Sequence, residues 1–100
     1  MREGRQRLDK WLWFARFAKT RSLAAKLVES GFVRVNGGRI ENPAKAIGVG
    51  DVITVAVART TAVVRVSELG LRRGPAPEAR ALYTELSRDD GALASGLDKD

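Results

Sequence analysis

From Leu8 onward, apolar residues fall at Leu8, Trp11, Leu12, Ala15 and Ala18, the i, i+3, i+4, i+7 spacing of a helix that buries one stripe. Asp9 stands near the start, where a carboxylate caps free N–H groups and complements the helix dipole. A second helix is predicted after the cap signal Thr20–Ser22, with the stripe Leu23, Ala24, Leu27 and Val28. Gly31 sits where a left-handed C-terminal residue is wanted. The period then changes from helical to alternating. Phe32-Val33-Arg34-Val35 reads as a strand, Asn36-Gly37 as a tight hairpin turn, and Arg39-Ile40 as the return strand. Asn42-Pro43 is loop and Gly48-Val49-Gly50-Asp51 is a turn. Residues 52–57 and 62–66 are further strands, joined through Arg59-Thr60-Thr61.

Beyond Leu71-Arg72-Arg73-Gly74, two prolines precede Ala79, Leu82, Tyr83 and Leu86 at helical spacing, which predicts a third helix around 77–88. The expected fold is α+β: two N-terminal helices packed on a small, mostly antiparallel, bent sheet, with a C-terminal helix. The expected divisions are a frayed segment 1–6, a folded domain 7–71, a docked helix 72–88 and a disordered acidic tail 89–100.

Composition narrows the chemistry. The 100 residues contain neither cysteine nor histidine. Disulfides, thiolate metal sites, histidine acid–base catalysis and ordinary zinc sites are therefore excluded. No cofactor, metal or catalytic residue is expected, and the reading is of a non-enzyme. No run of about 18 apolar residues suggests a membrane span, and no secretory leader is visible. A cytoplasmic monomer is the expectation.

Charge changes the picture more. Residues 1–45 carry 11 Lys/Arg against 4 Asp/Glu, whereas residues 81–100 carry 2 against 5. Positive charge thus belongs to the helical front end, as a localised nucleic-acid surface requires. The candidate phosphate-neutralising set is Arg7, Lys10, Arg16, Lys19, Arg21, Lys26, Arg34, Arg39 and Lys45. For any one of these, a solvated helix face explains it equally well. The junction Lys19-Thr20-Arg21-Ser22 brings two hydroxyls and two cations to a helix N-terminus, which suits an anion. Arg21, with its planar fork, is the best single candidate. Asn36 is also placed to reach RNA, although turn chemistry alone explains it. Trp11 falls on the core stripe. Trp13 and Phe17 lie nearly opposite, where they either stack on unpaired bases or pack beneath the third helix.

The motifs RLDKWLW at 7–13, KTR at 19–21, VRVNG at 33–37 and RRGPAPEARALY at 72–83 carry a resemblance. Over roughly residues 7–86 the chain resembles the RNA-binding domain named after ribosomal protein S-four (the αL motif), and within it the ribosome-associated heat-shock protein fifteen family. The resemblance implies RNA meeting the helix pair and the adjoining loop. It also implies a role in the stress response on the large ribosomal subunit, where stalled nascent chains remain on tRNA. Ribosomal RNA and peptidyl-tRNA are the implied partners. Carried over by position, the RNA-facing residues are Arg7, Lys10, Arg16, Lys19, Thr20, Arg21, Ser22, Lys26, Arg34 and Asn36. Proteins of that family often continue into a long basic extension, whereas this sequence reads SRDDGALASGLDKD after Leu86, so any affinity from such a tail is expected to be absent or replaced. Two other readings remain open: a DNA-binding regulator, since two helices and a short turn mimic helix-turn-helix, and a targeting domain for an RNA-modifying enzyme.

Overall fold

Each change of period in the sequence becomes a change of element. The computed structural model describes residues 4–57 and 59–89. Strand β1 (Gln6–Arg7) leads into α1 (Leu8–Phe14) and α2 (Arg21–Glu29). Next come β2 (Val33–Val35), β3 (Gly38–Arg39), β4 (Ala46–Ile47), β5 (Val52–Val57) and β6 (Thr60–Val66). The described chain ends with α3 (Ala76–Arg80) and β7 (Tyr83–Asp89). The architecture is α+β, as the sequence predicts. Five strands form one antiparallel sheet in the order β3-β2-β5-β6-β7, and β1 pairs with β4 beside it.

Alternation decides which face of the sheet is covered. Val33, Val35, Ile53, Val55, Ala62, Val64 and Val66 point to one side and are buried. The α1 residues Leu8, Trp11 and Leu12 pack on them with no exposure at all, joined by Ala24 and Val28 of α2. The Asn36-Gly37 turn is confirmed: φ is 52° and 85°, and Val35 pairs with Gly38 across it. Left-handed backbone at both central residues gives a turn whose twist matches the strands.

Both long helices end in the same motif. In α2 the N–H of Gly31 bonds to Val28 C=O (3.0 Å) and that of Phe32 to Leu27 C=O (3.0 Å). In α1 the N–H of Arg16 bonds to Trp13 C=O (3.1 Å) and that of Phe17 to Leu12 C=O (3.0 Å). These are paired Schellman closures, with Gly31 left-handed at φ 83° and Arg16, an arginine, at φ 66°.

Several expectations are corrected. The third helix stops at Arg80, and residues 83–89 form a strand instead. The open edge of β6 needs hydrogen-bond partners, and that demand outweighs the weak helical spacing of Leu82, Tyr83 and Leu86. A register shift between Val63 and Val64 leaves Leu86 unpaired and 44% exposed. Thr60 and Thr61 belong to β6 rather than to a connection, since Thr60 pairs with Val57. Gln6 is not frayed: it pairs with Ile47, and its side-chain amide exchanges two hydrogen bonds with the backbone of Gly70. Leu23, assigned to the buried stripe of α2, is 46% exposed. The tail beyond Asp89 lies outside the described residues.

Candidate nucleic-acid interface

The N-termini of α1 and α2 meet around one carboxylate. Asp9 is 3% exposed, the buried acid of the described core. Arg7 donates to it through both Nε and Nη2 (3.0 Å each), and Arg21 Nε approaches within 3.8 Å. The hydrogen bonds first, and the opposite charge second, hold the Arg7 guanidinium above its ordinary pKa. One buried negative charge thus fixes two positive ones that remain about half exposed. The pairing is bidentate on the Arg7 side, which sets the plane of that guanidinium as well as its position.

Local backbone geometry supports this cluster. The first N–H groups of α1 are taken by the loop 43–45: Leu8 N–H donates to Lys45 C=O (2.9 Å) and Asp9 N–H to Pro43 C=O (3.1 Å). Lys45 is therefore held beside Arg7, whose own backbone pairs with Ala46. At α2, Thr20 is the N-cap, and its Oγ1 accepts from Leu23 N–H at 3.1 Å. No acidic residue occupies the first turn of α2. The positive end of that helix faces solvent between Arg21, Ser22 and Lys19, all exposed.

The remaining candidates divide. Lys10 is half-buried, with Nζ 5.6 Å from the centre of the Phe14 ring. Lys19 and Lys26 line one apolar groove with Leu23 and Phe32. Arg34 and Arg39 are direct cross-strand partners on the β2–β3 hairpin, and Arg39 ion-pairs with Glu41 at 2.9 Å. Two candidates have structural duties. Asn36 Oδ1 accepts from Val52 N–H (2.9 Å) while its Nδ2 donates to Asp51 (3.3 Å), so its amide ties the hairpin to β5. Arg16 donates from Nε to Gly74 C=O at 2.8 Å, which anchors the segment before α3. The structure therefore gathers Arg7, Arg21 and Lys45 with Thr20 and Ser22 close by, and places Arg16 at the far end of α1.

Trp13 and Phe17 are both partly covered by packing. Phe17 lies between Trp11 (centroids 6.2 Å) and Tyr83 (5.1 Å), and Trp13 stacks on Phe14 at 5.5 Å. Phe17 is covered by Trp11 and by Tyr83 at the start of β7, and not by a long third helix. The sequence predicts only a capping role for Asp9. The signal for more was an acid enclosed by Arg7 and Lys10 in an otherwise basic run.

Residues 6–53 match the S4 domain family model. The chain is 41% identical over 96 residues to heat shock protein 15 of Escherichia coli K12, spanning 91% of this chain and 71% of that protein. The chain belongs to the heat shock protein 15 family. A heat shock protein 15 homolog from Aeromonas salmonicida is 48% identical over 79 residues, and the match spans 59% of that relative's length. The solved heat shock protein 15 structure from Vibrio cholerae has a TM-score of 0.78 at 43% identity, with 83% of each chain covered. That structure is trimeric, which stands against the monomer expected from sequence. A more distant similarity, 37% over 92 residues, runs to the small ribosomal subunit protein uS4 of Xanthobacter autotrophicus, covering 41% of it. Among the described residues no helix is long and apolar enough to cross a membrane.

Proposed function

We propose that this heat shock protein 15 family member is a non-enzymatic, cytoplasmic RNA-binding protein. Its partner is structured ribosomal RNA on the large subunit, and its role is recycling, or rescue of subunits that still hold a nascent chain on tRNA. The observation that carries the reading is the pair Arg7 and Arg21, fixed on buried Asp9 beside the acid-free N-terminus of α2. Preset cations lose little side-chain entropy when they meet phosphates. A-form RNA hides its base edges in a deep groove, so shape and phosphate position dominate recognition. We take the exposed residues Lys19, Lys26, Arg34, Arg39 and Lys45 as further phosphate contacts.

Co-sedimentation with large ribosomal subunits at low salt tests this. The double charge reversal Arg21→Glu, Lys26→Glu is expected to weaken binding at least tenfold. In the unaltered protein about six phosphate contacts give a slope of log affinity against log salt of roughly −4 to −5. Binding that survives both reversals unchanged ends the proposal. Helix α2, RSLAAKLVE, offers no Asn or Gln to read bases in a major groove, so duplex DNA is expected to compete poorly with ribosomal RNA.

A further inference from the structure

A second concave feature lies at the other end of α1. Between the end of that helix, the inner face of the sheet and α3 there is an open cavity of about 540 Å³. Its floor is built from small apolar groups: Ala15, Val55, Ala62 and Ala79. Phe17 and Tyr83 form one wall, their ring centroids 5.1 Å apart and their planes tilted by 42°. Both rings are only half-buried. Arg16, Arg80 and Arg88 also line the cavity, and Arg88 is already ion-paired with Glu85 at 2.9 Å. Arg16 uses its Nε on Gly74, and Arg80 has no side-chain partner among the described residues.

This combination specifies a ligand chemistry. The alanine floor makes room for something flat, the two rings offer a stacking surface, and Arg16 and Arg80 favour negative charge at the rim. The volume lies in the range of small-molecule sites, about 300–1,000 Å³. A nucleotide has each of these properties: a planar base with a π face and a phosphate at one end. We propose that the cavity receives one unpaired nucleotide of a bound RNA. Its base lies on the alanine floor against Phe17 and Tyr83, and its phosphate is held by Arg16 and Arg80.

The inference rests on the RNA-binding reading above and makes it more specific. The Asp9-centred cluster grips phosphates of paired RNA, while the cavity selects an RNA with a base turned out of the stack. Stacking a base on aromatic side chains changes affinity on the order of tenfold or more per base.

The test compares two RNA hairpins of the same stem, one fully paired and one with a single-nucleotide bulge, binding to the full chain at one fixed salt concentration. The unaltered protein is expected to prefer the bulged hairpin by about tenfold. Tyr83 is the single tyrosine of the chain, so its ring resonances should shift with the bulged hairpin and not with the paired one. Ala76→Trp fills the mouth of the cavity from an exposed position on α3, and Arg80→Gln removes an exposed, unpartnered charge. Both variants are expected to lose the preference while still binding the paired hairpin. Equal affinity for the two hairpins overturns the inference alone, and so does a preference that persists in Ala76→Trp. Failure to bind either hairpin overturns the RNA-binding reading and this inference together.

Discussion

Arg16 and Arg73 each hold the other's segment: Arg16 Nε donates to Gly74 C=O at 2.8 Å, and Arg73 Nη2 donates to Ala18 C=O at 3.3 Å. Two arginines far apart in sequence thus exchange hydrogen bonds with the backbone next to the other. The turn after α1 and the segment before α3 are fastened at two points. Arg73 Nε is also buried within this join, with no protein partner.

This relationship separates two costs at one position. Arg16 is left-handed, which costs a non-glycine residue about 1–2 kcal/mol, yet its side chain makes a charge-assisted bond worth about 1.5–3 kcal/mol. Arg16→Ala keeps the backbone strain and loses the bond, so it should destabilise by about 1.5–3 kcal/mol. Arg16→Gly loses the same bond but relieves the strain, and should be more stable than Arg16→Ala by about 1 kcal/mol. Urea denaturation of the two variants measures that order. Equal stability would show that the turn is not strained.

Removing the buried acid should act on binding as well as on stability. Asp9→Asn leaves Arg7 and Arg21 without their shared anion. The stability cost is expected at about 1–2 kcal/mol, less than for a fully enclosed pair, because both guanidinium groups can turn to water. RNA affinity should fall as well, although the variant is one charge more positive. Bulk electrostatics alone would raise it. Thermal melting and a gel-shift on the same preparation distinguish loss of positioning from a simple gain in charge.

Glu78 and Glu85 give the fold a shallow acid sensitivity. The hydrogen bonds from Arg72 to Glu78 and from Arg88 to Glu85 are the main cause that holds each carboxyl below its ordinary value of 4.5. A group with a depressed folded pKa contributes stability above its unfolded pKa, and loses it as pH falls through the folded value. The melting temperature should therefore decline on acidification through and below the carboxylate range. Glu78→Gln should melt lower than the unaltered protein at neutral pH and converge with it in acid. Both residues are solvent-accessible, so the difference should also shrink at high salt.

Helices, hairpin and central strands were legible because each rests on a local rule. The stripe beginning Leu8, Trp11 and Leu12 has only one way to be buried, the Thr20 hydroxyl accepts from the free N–H of Leu23 three residues on, and Asn36-Gly37 adopts left-handed backbone at little cost. The β7 strand was not legible. Tyr-Thr-Glu-Leu-Ser-Arg-Asp satisfies a helical and an alternating reading equally well, and the choice is made by β6, whose edge lies about twenty residues earlier. The cations were legible as a set and not as individuals. Nothing in the local sequence separates Arg21, which shares a carboxylate with Arg7, from Arg16, whose acceptor is the carbonyl of Gly74. That partner belongs to a loop whose path depends on the finished fold.

The connection between Gln6 and Gly70 has a consequence for how the protein can be cut. The family model spans residues 6–53, but three of its side chains find their acceptors beyond it: Gln6 on the backbone of Gly70, the Trp11 indole on Glu68 C=O at 3.0 Å and Arg16 on Gly74 C=O. A fragment ending at residue 53 would strand a tryptophan donor in apolar surroundings and uncover the floor beneath it. The recognised module is therefore not a portable cassette, and anyone grafting it onto another protein must carry the later strands and the 68–70 stretch along with it.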